Sequence, residues 1–153
     1  MRIMDFLNEK AVCADLTSTN KEDVIREMVE LLVKAQVVKE KEKIVKILLE
    51  REALGSTGIG QGVAIPHGKS MLVKDLTAAF GLSQQGVNYD SLDGEPVYIF
   101  FLLLAPEHSA GPHLKALARI SRLLKDKYFR DTLRAARDEK TVLKIIRQED
   151  AKK

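Results

Sequence analysis

Apolar positions Val24, Ile25, Met28, Leu31, Leu32 and Ala35 recur at three- and four-residue intervals behind the polar run Thr17-Ser18-Thr19-Asn20. That spacing predicts an amphipathic helix whose capping residue lies in the polar run. A second periodic segment runs from about Lys41 to Leu54 and stops at Gly55, a helix-terminating glycine. The stretch Gly55-Ser56-Thr57-Gly58-Ile59-Gly60-Gln61-Gly62 is too rich in glycine for regular structure and predicts a loop. Val63-Ala64-Ile65, Leu76–Leu82 and Val97–Leu104 predict strands, the last apolar almost throughout, as in a strand covered on both faces.

Gly111-Pro112 predicts the opening of a further helix, with proline in the first turn and a stripe through Leu117, Ile120 and Leu124. Two shorter helices are predicted over Tyr128–Ala136 and Asp138–Gln148, with Asp138 as N-cap of the second. Helices before, between and after the strands imply a layered α/β domain. No repeat or linker divides the chain, so one domain is expected over residues 1–149, followed by a charged tail, 150–153.

Composition narrows the function. The 25 basic and 22 acidic residues alternate without forming a block, which argues against a nucleic-acid surface. The lack of Trp leaves little on which bases could stack. A single cysteine, Cys13, excludes an internal disulfide, and its apolar neighbours Ala11, Val12 and Ala14 predict a half-buried small hydrophobe. Asp5, Asn8, Glu9 and Lys10 interrupt any secretory h-region, and the apolar run Val97–Ala105 is short of the ~20 residues that span a bilayer. The expectation is a cytoplasmic, membrane-free domain.

Candidate chemistry concentrates between Gly55 and Lys69. A P-loop needs four residues before Gly-Lys-Ser; here five residues, 63 to 67, separate Gly62 from Gly68-Lys69-Ser70, and one of them is Pro66, which has no amide proton. The dinucleotide fingerprint fails as well, because Val63 stands where its third glycine belongs. What remains is His67, between a strand-stopping proline and Gly68, at a strand end where α/β proteins place ligands. A neutral imidazole there can serve as nucleophile, base or metal ligand; the alternative is a structural histidine satisfied by backbone. Arg51 falls on the apolar stripe of Ile44, Ile47, Leu48 and Leu54, where a guanidinium needs an anion, a rich set of acceptors, or an edge from which to snorkel. His113 lies in the first turn of the later helix, whose N-terminus favours anions. Together these three suit a phosphoryl group. A zinc site would have to use His67, His108 and His113, whose spacing lacks the helical His-Glu-x-x-His geometry, so no metal is expected.

Arg51-Glu52, Gly55-Ser56-Thr57-Gly58-Ile59-Gly60 and Gly62-Val63-Ala64-Ile65-Pro66-His67-Gly68 resemble the signature of the enzyme IIA domain of the fructose/mannitol class, from the phosphoenolpyruvate-dependent phosphotransferase system. The opening Met4-Asp5-Phe6-Leu7-Asn8 is most similar to the nitrogen-regulatory branch. The resemblance implies an α/β sandwich, with a mixed sheet between helices, and a phosphoryl group accepted on His67 from the phosphocarrier HPr or its nitrogen-branch relative. It implies that Arg51 and His113 assist, and that no cofactor is used. Amides at Gly60, Gln61 and Gly62 are further candidates for holding phosphoryl oxygens, Gln61 standing where the family carries Glu or Asn. His108 is expected to be a loop residue. Ile59 and Val63 are expected to be exposed and to help in docking. Three functions follow: a regulatory phosphoprotein, a sugar-transport IIA subunit that passes its phosphoryl group to a IIB domain, and a non-catalytic binding module. The 153 residues hold no fused IIB or IIC segment, which favours the first.

Overall fold

The computed structural model describes residues 1–152. After a 3-10 turn at Ile3–Asp5, the elements in order are β1 (Leu7–Cys13), α1 (Lys21–Lys34), α2 (Lys41–Ala53), β2 (Gly58–Gly60), β3 (Val63–Ala64), β4 (His67–Ser70), β5 (Thr77–Val87), β6 (Val97–Pro106), α3 (Ala110–Leu124), α4 (Lys127–Ala135) and α5 (Glu139–Ala151). The strands form one mixed sheet in the order β1-β5-β6-β3-β2, with β4 paired to β6 beyond β3. The central pair β5/β6 and the β2/β3 hairpin are antiparallel, while β1 joins β5, and β3 and β4 join β6, in parallel.

Strand β6 shows why the sheet must be covered twice. Ile99, Phe101 and Leu103 pack with Phe80, Ile120, Phe129 and Ile146 on the side of α3–α5. Phe100, Leu102 and Leu104 pack with Ile25, Met28, Leu32, Ile44 and Leu48 on the side of α1 and α2. Side chains alternate across a pleated strand, so an apolar run needs a helical layer on each face. The three-layer α/β sandwich implied by the resemblance is therefore present. Asn20 and Asp138 cap α1 and α5 through bonds from Asp23 N and Thr141 N. Among the described residues, no helix is long and apolar enough to cross a membrane.

Several expectations need correction. The glycine-rich loop contains a hairpin: Gly60 pairs with Val63, and Gln61 (φ 62°) and Gly62 (φ 77°) make the two-residue turn. Positive φ at both turn residues matches the strand twist, so glycine here serves a hairpin rather than a free loop. Pro66 does not end pairing with β6; it interrupts it, and pairing resumes at once with His67 opposite Leu103. His67 thus begins a strand. Gly68 is in that strand, opposite Leu104, and not in a turn; its missing side chain makes room for α2, since a Cβ there would lie 3.0 Å from Ile47 Cγ2. Val63, expected on the surface, is buried, whereas Ile59 is exposed and Leu54, expected on the buried stripe, lies outside.

Strand β1 escaped the sequence patterning, because Asn8, Glu9 and Lys10 break the alternation and it occupies an edge with an irregular register against β5. Strand β5 runs on past Leu82 to Val87 through an irregularity in its pairing. The charged tail does not start at residue 150. Helix α5 continues to Ala151, and Asp150 is 1% exposed, accepting bonds from Ile3 N (3.0 Å), Met4 N (2.9 Å) and Arg119 Nη2 (2.7 Å). This pair ties the chain's beginning to its last helix.

Candidate phosphoryl site

In a parallel ladder, paired residues point to the same face. His67 pairs with Leu103, whose side chain faces the α3–α5 layer. Its imidazole accordingly reaches that layer and meets His113, with ring centroids 5.5 Å apart and planes at 67°. His67 Nδ1 lies 2.7 Å from the carbonyl oxygen of Ile65. A carbonyl only accepts, so Nδ1 carries the proton and Nε2 is left with its lone pair, the form of imidazole that can attack an electrophile. The half-buried ring is presented, not enclosed.

His113 sits in the first turn of α3 and is buried, and its Nε2 has no hydrogen-bond partner among the described residues. A buried polar atom without a partner is costly and points to something absent. Ser109 precedes the helix, but its hydroxyl donates to Pro106 O at 2.8 Å and does not cap the first turn. The positive end of the α3 dipole therefore opens beside the two histidines.

Arg51, in the last turn of α2, is half-buried and donates from Nη1 to Gly55 O at 2.9 Å. Its charge reaches His67. Ile44 and Leu48 continue at four-residue spacing to Glu52, not to Arg51, so the deeper side chain on this helix is a carboxylate. Glu52 accepts from Lys21 Nζ (3.0 Å), from Thr57 N (3.1 Å) and from the Thr57 hydroxyl, and Tyr89 OH lies 3.0 Å from Thr57 Oγ1. Burial first, then the Glu52 charge, pushes the Tyr89 phenol up, so it stays protonated. Sequence reasoning missed this Lys21–Glu52–Thr57–Tyr89 network. Only the i, i+4, i+8 line from Ile44 would have flagged Glu52; nothing local flags Lys21 or Tyr89, which arrive from elsewhere in the chain.

The Gly60–Gly62 turn is not brought to this place. Val63 lies opposite Ile99 and His67 opposite Leu103, four residues further along β6, or ~13 Å at ~3.3 Å per residue. Gln61 N donates to Asp93 Oδ2 (3.2 Å), Gln61 Oε1 accepts from Arg130 Nη2 (2.8 Å), and Gly62 O accepts from Tyr98 N (2.9 Å). These residues brace the hairpin against α4 and β6. His108 lies exposed in the loop before α3. Cys13 is half-buried, and burial foremost pushes its thiol up to about 11, which fits the small hydrophobe expected of it.

Burial holds the His67 imidazole below its ordinary value, and Arg51 adds to this; the Ile65 hydrogen bond and the Glu52 charge oppose it. His113 is pushed down to about 4 by burial, then by His67 and Lys69. Both rings are therefore neutral at neutral pH. In an NMR titration of the imidazole nitrogens, His67 is expected to protonate below the ordinary midpoint of ~6.5, and His113 lower still. A His67 midpoint above ~6.5 would show that its surroundings favour the cation instead.

The sandwich with a free histidine nitrogen at a parallel strand's start defines a class whose relatives are identifiable. The model of the "Phosphoenolpyruvate-dependent sugar phosphotransferase system, EIIA 2" family matches residues 5–149. The chain belongs to that family. It is similar to the nitrogen regulatory protein of Bradyrhizobium diazoefficiens, with 38% identity covering 95% of each chain. It is also similar to the fructose-specific EIIABC component of Bacillus subtilis, with 40% identity over 98% of this chain, although it spans only 24% of that longer protein. Among solved structures, the nitrogen regulatory protein IIA-Ntr of Neisseria meningitidis superposes with a TM-score of 0.85 at 34% identity, covering 93% of this chain and 97% of that one.

Proposed function

We propose that this protein is a cytoplasmic phosphoryl relay of the phosphotransferase system, of the nitrogen-regulatory type, and that Nε2 of His67 is the acceptor. The observation that carries the assignment is the Nδ1–Ile65 hydrogen bond, which leaves Nε2 unprotonated in front of His113. The donor is a phosphohistidine on HPr or an HPr-like carrier. As the new N–P bond forms on Nε2, the donor's N–P bond breaks and its imidazole leaves with the electron pair. The Ile65 carbonyl, bonded to Nδ1–H, supports the positive charge that grows on the attacking ring.

Because one nitrogen exchanges for another, the work left to the protein is positioning and neutralisation of the phosphoryl oxygens. Arg51 supplies a cation, and the unpartnered Nε2 of His113, protonated in the tautomer the site requires, donates a hydrogen bond. Lys69, whose charge reaches His113, adds to the positive field. Glu52 holds the end of α2 against Thr57 and so keeps Arg51 in place.

Near end-to-end similarity to the Bradyrhizobium and Neisseria regulatory proteins supports regulation over transport. The test is intact-mass spectrometry after incubation with phosphoenolpyruvate, enzyme I and a phosphocarrier, followed by fragment mapping. One acid-labile phosphoryl group on His67 is the expected outcome. An unmodified chain with HPr and with its nitrogen-branch relative would make this a binding module. Rapid loss of the label to a fructose-type IIB domain would reassign it to sugar transport.

A further inference from the structure

Helix α4 carries Arg130, Arg134 and, just past its end, Arg137, at four- and three-residue steps. Arg130 and Arg134 are neighbours on the helix surface; Arg130 is buried, whereas Arg134 and Arg137, the latter beyond the extended Ala136, are exposed. Arg130 grips Gln61 and the carbonyls of Leu124 and Lys125, all at 2.8 Å, so its fork is used within the fold. The other two border a cavity of about 310 Å³ lined by Ser83, Gln84, Asp131, Arg134, Ala135 and Arg137.

The Arg134 guanidinium carbon lies 3.7 Å above the Tyr98 ring centroid. Tyr98 is itself clamped between glycines: a Cβ at Gly86 would come within 3.0 Å of its ring, and one at Gly62 within 3.3 Å. Stacking on a fixed ring holds the guanidinium plane while leaving its N–H edges free. Among the described residues, no carboxylate forms an ion pair with Arg134 or Arg137. The acid on the rim, Asp131, pairs with Lys127 at 2.7 Å, and the Arg134 charge also acts on it.

Arg137 directs Nη1 to Gln84 Oε1 (2.9 Å) and to the carbonyls that end α4, which leaves Nε and Nη2 without a hydrogen-bond partner among the described residues. Gln84 is anchored in turn through Nε2 to Ala14 O (3.1 Å) and Ala136 O (3.3 Å). The buried Ser83 hydroxyl accepts from Gly86 N at 2.9 Å, so its proton remains to be donated. The cavity thus offers two oriented guanidinium groups and a hydroxyl.

We propose that this cavity binds a phosphate monoester of a small polar molecule, or inorganic phosphate itself, between Arg134 and Arg137. Paired guanidinium groups match phosphate oxygens in charge and geometry better than any other side chains. The volume stands at the lower end of small-molecule sites, ~300–1,000 Å³, and five of the six lining residues are polar or charged, which excludes an apolar ligand. The site is separate from the one at His67. Ser83 is five residues along β5 from Ala78, which faces Leu103, the partner of His67, a separation of roughly 17 Å.

The experiment is an amide-resolved NMR titration of the full chain with glycerol 3-phosphate at constant ionic strength, with inorganic phosphate and glycerol in parallel. The expected result is saturable shifts at Ser83, Gln84 and residues 135–137 with glycerol 3-phosphate and none with glycerol. Inorganic phosphate saturating the same amides equally well would identify the free ion as ligand; weaker saturation would identify an ester. Arg134→Glu, which removes the guanidinium stacked on Tyr98, is expected to abolish these shifts, and Arg134→Lys to weaken binding about tenfold. Phosphoryl uptake at His67 is expected to be unchanged in both. Linear, non-saturating shifts, shifts confined to residues near His67, or shifts that persist in Arg134→Glu would each overturn the proposal.

Discussion

Replacing His67 with alanine is expected to abolish phosphoryl uptake entirely while the fold persists. The loss is complete because the substitution removes the acceptor atom itself, not a group that lowers a barrier. His113 does not take over the role, since it is buried and, with its proton on Nε2, that nitrogen has no lone pair with which to attack. The fold persists because the half-buried His67 ring makes a single hydrogen bond, to Ile65 O, and one edge contact, to His113. A bond of that kind contributes ~0.5–1.5 kcal/mol, a small part of a domain's ~5–15 kcal/mol. The same mass measurement, together with a circular-dichroism melt, decides the matter. A variant that still takes up one acid-labile phosphoryl group would move the acceptor elsewhere. A variant that fails to fold would return His67 to the structural role that the sequence alone left open.

The other large effect concerns stability. Asp150→Ala is expected to destabilise the protein by about 3–5 kcal/mol, the cost of breaking a buried ion pair from one side. Asp150 and Arg119 are 1% and 5% exposed, and the carboxylate also receives the amides of Ile3 and Met4. Removing it strands the two amide donors and takes away the carboxylate that Arg119 holds. The pH dependence has a definite sign. Burial pushes the Asp150 carboxyl up, but the Met4, Arg119 and Ile3 bonds outweigh it, so the group stays below its ordinary value. A carboxyl with a depressed folded-state pKa binds its proton more weakly folded than unfolded. Its contribution is therefore complete above the unfolded value of ~3.9 and is lost as pH falls through the folded one. Urea unfolding at neutral pH is the measurement; a change under ~1 kcal/mol would mean that the pair contributes little net stability. Asp150→Asn should also flatten the acid limb of the stability curve.

Local physics made a good part of the molecule legible in the sequence. Helical periodicity placed all five helices within a residue or two, apart from the last turn of α5, because each buries one apolar stripe. The continuous apolar run of β6 announced a strand covered on both faces. The Ile65-Pro66-His67-Gly68 block marked the candidate site, because Pro66 interrupts the ladder just before a histidine at a strand end, although Gly68 continues the strand.

Other features depended on partners far along the chain. Edge strand β1 looked polar because one side of it meets solvent, and only its pairing with β5 makes it a strand. Leu54, expected on the buried stripe, lies outside, and the buried position on α2 goes to Glu52, which the Lys21 ammonium from α1 neutralises. Gly60, Gln61 and Gly62 are close to His67 in sequence yet distant along β6, since Pro66 separates two strands that share one edge. Residue types and their spacing determined the elements and the reactive histidine. Which side chains face it, and which of its nitrogens is free, was decided by tertiary structure alone, because strand register and helix docking are set by burial across the whole sheet.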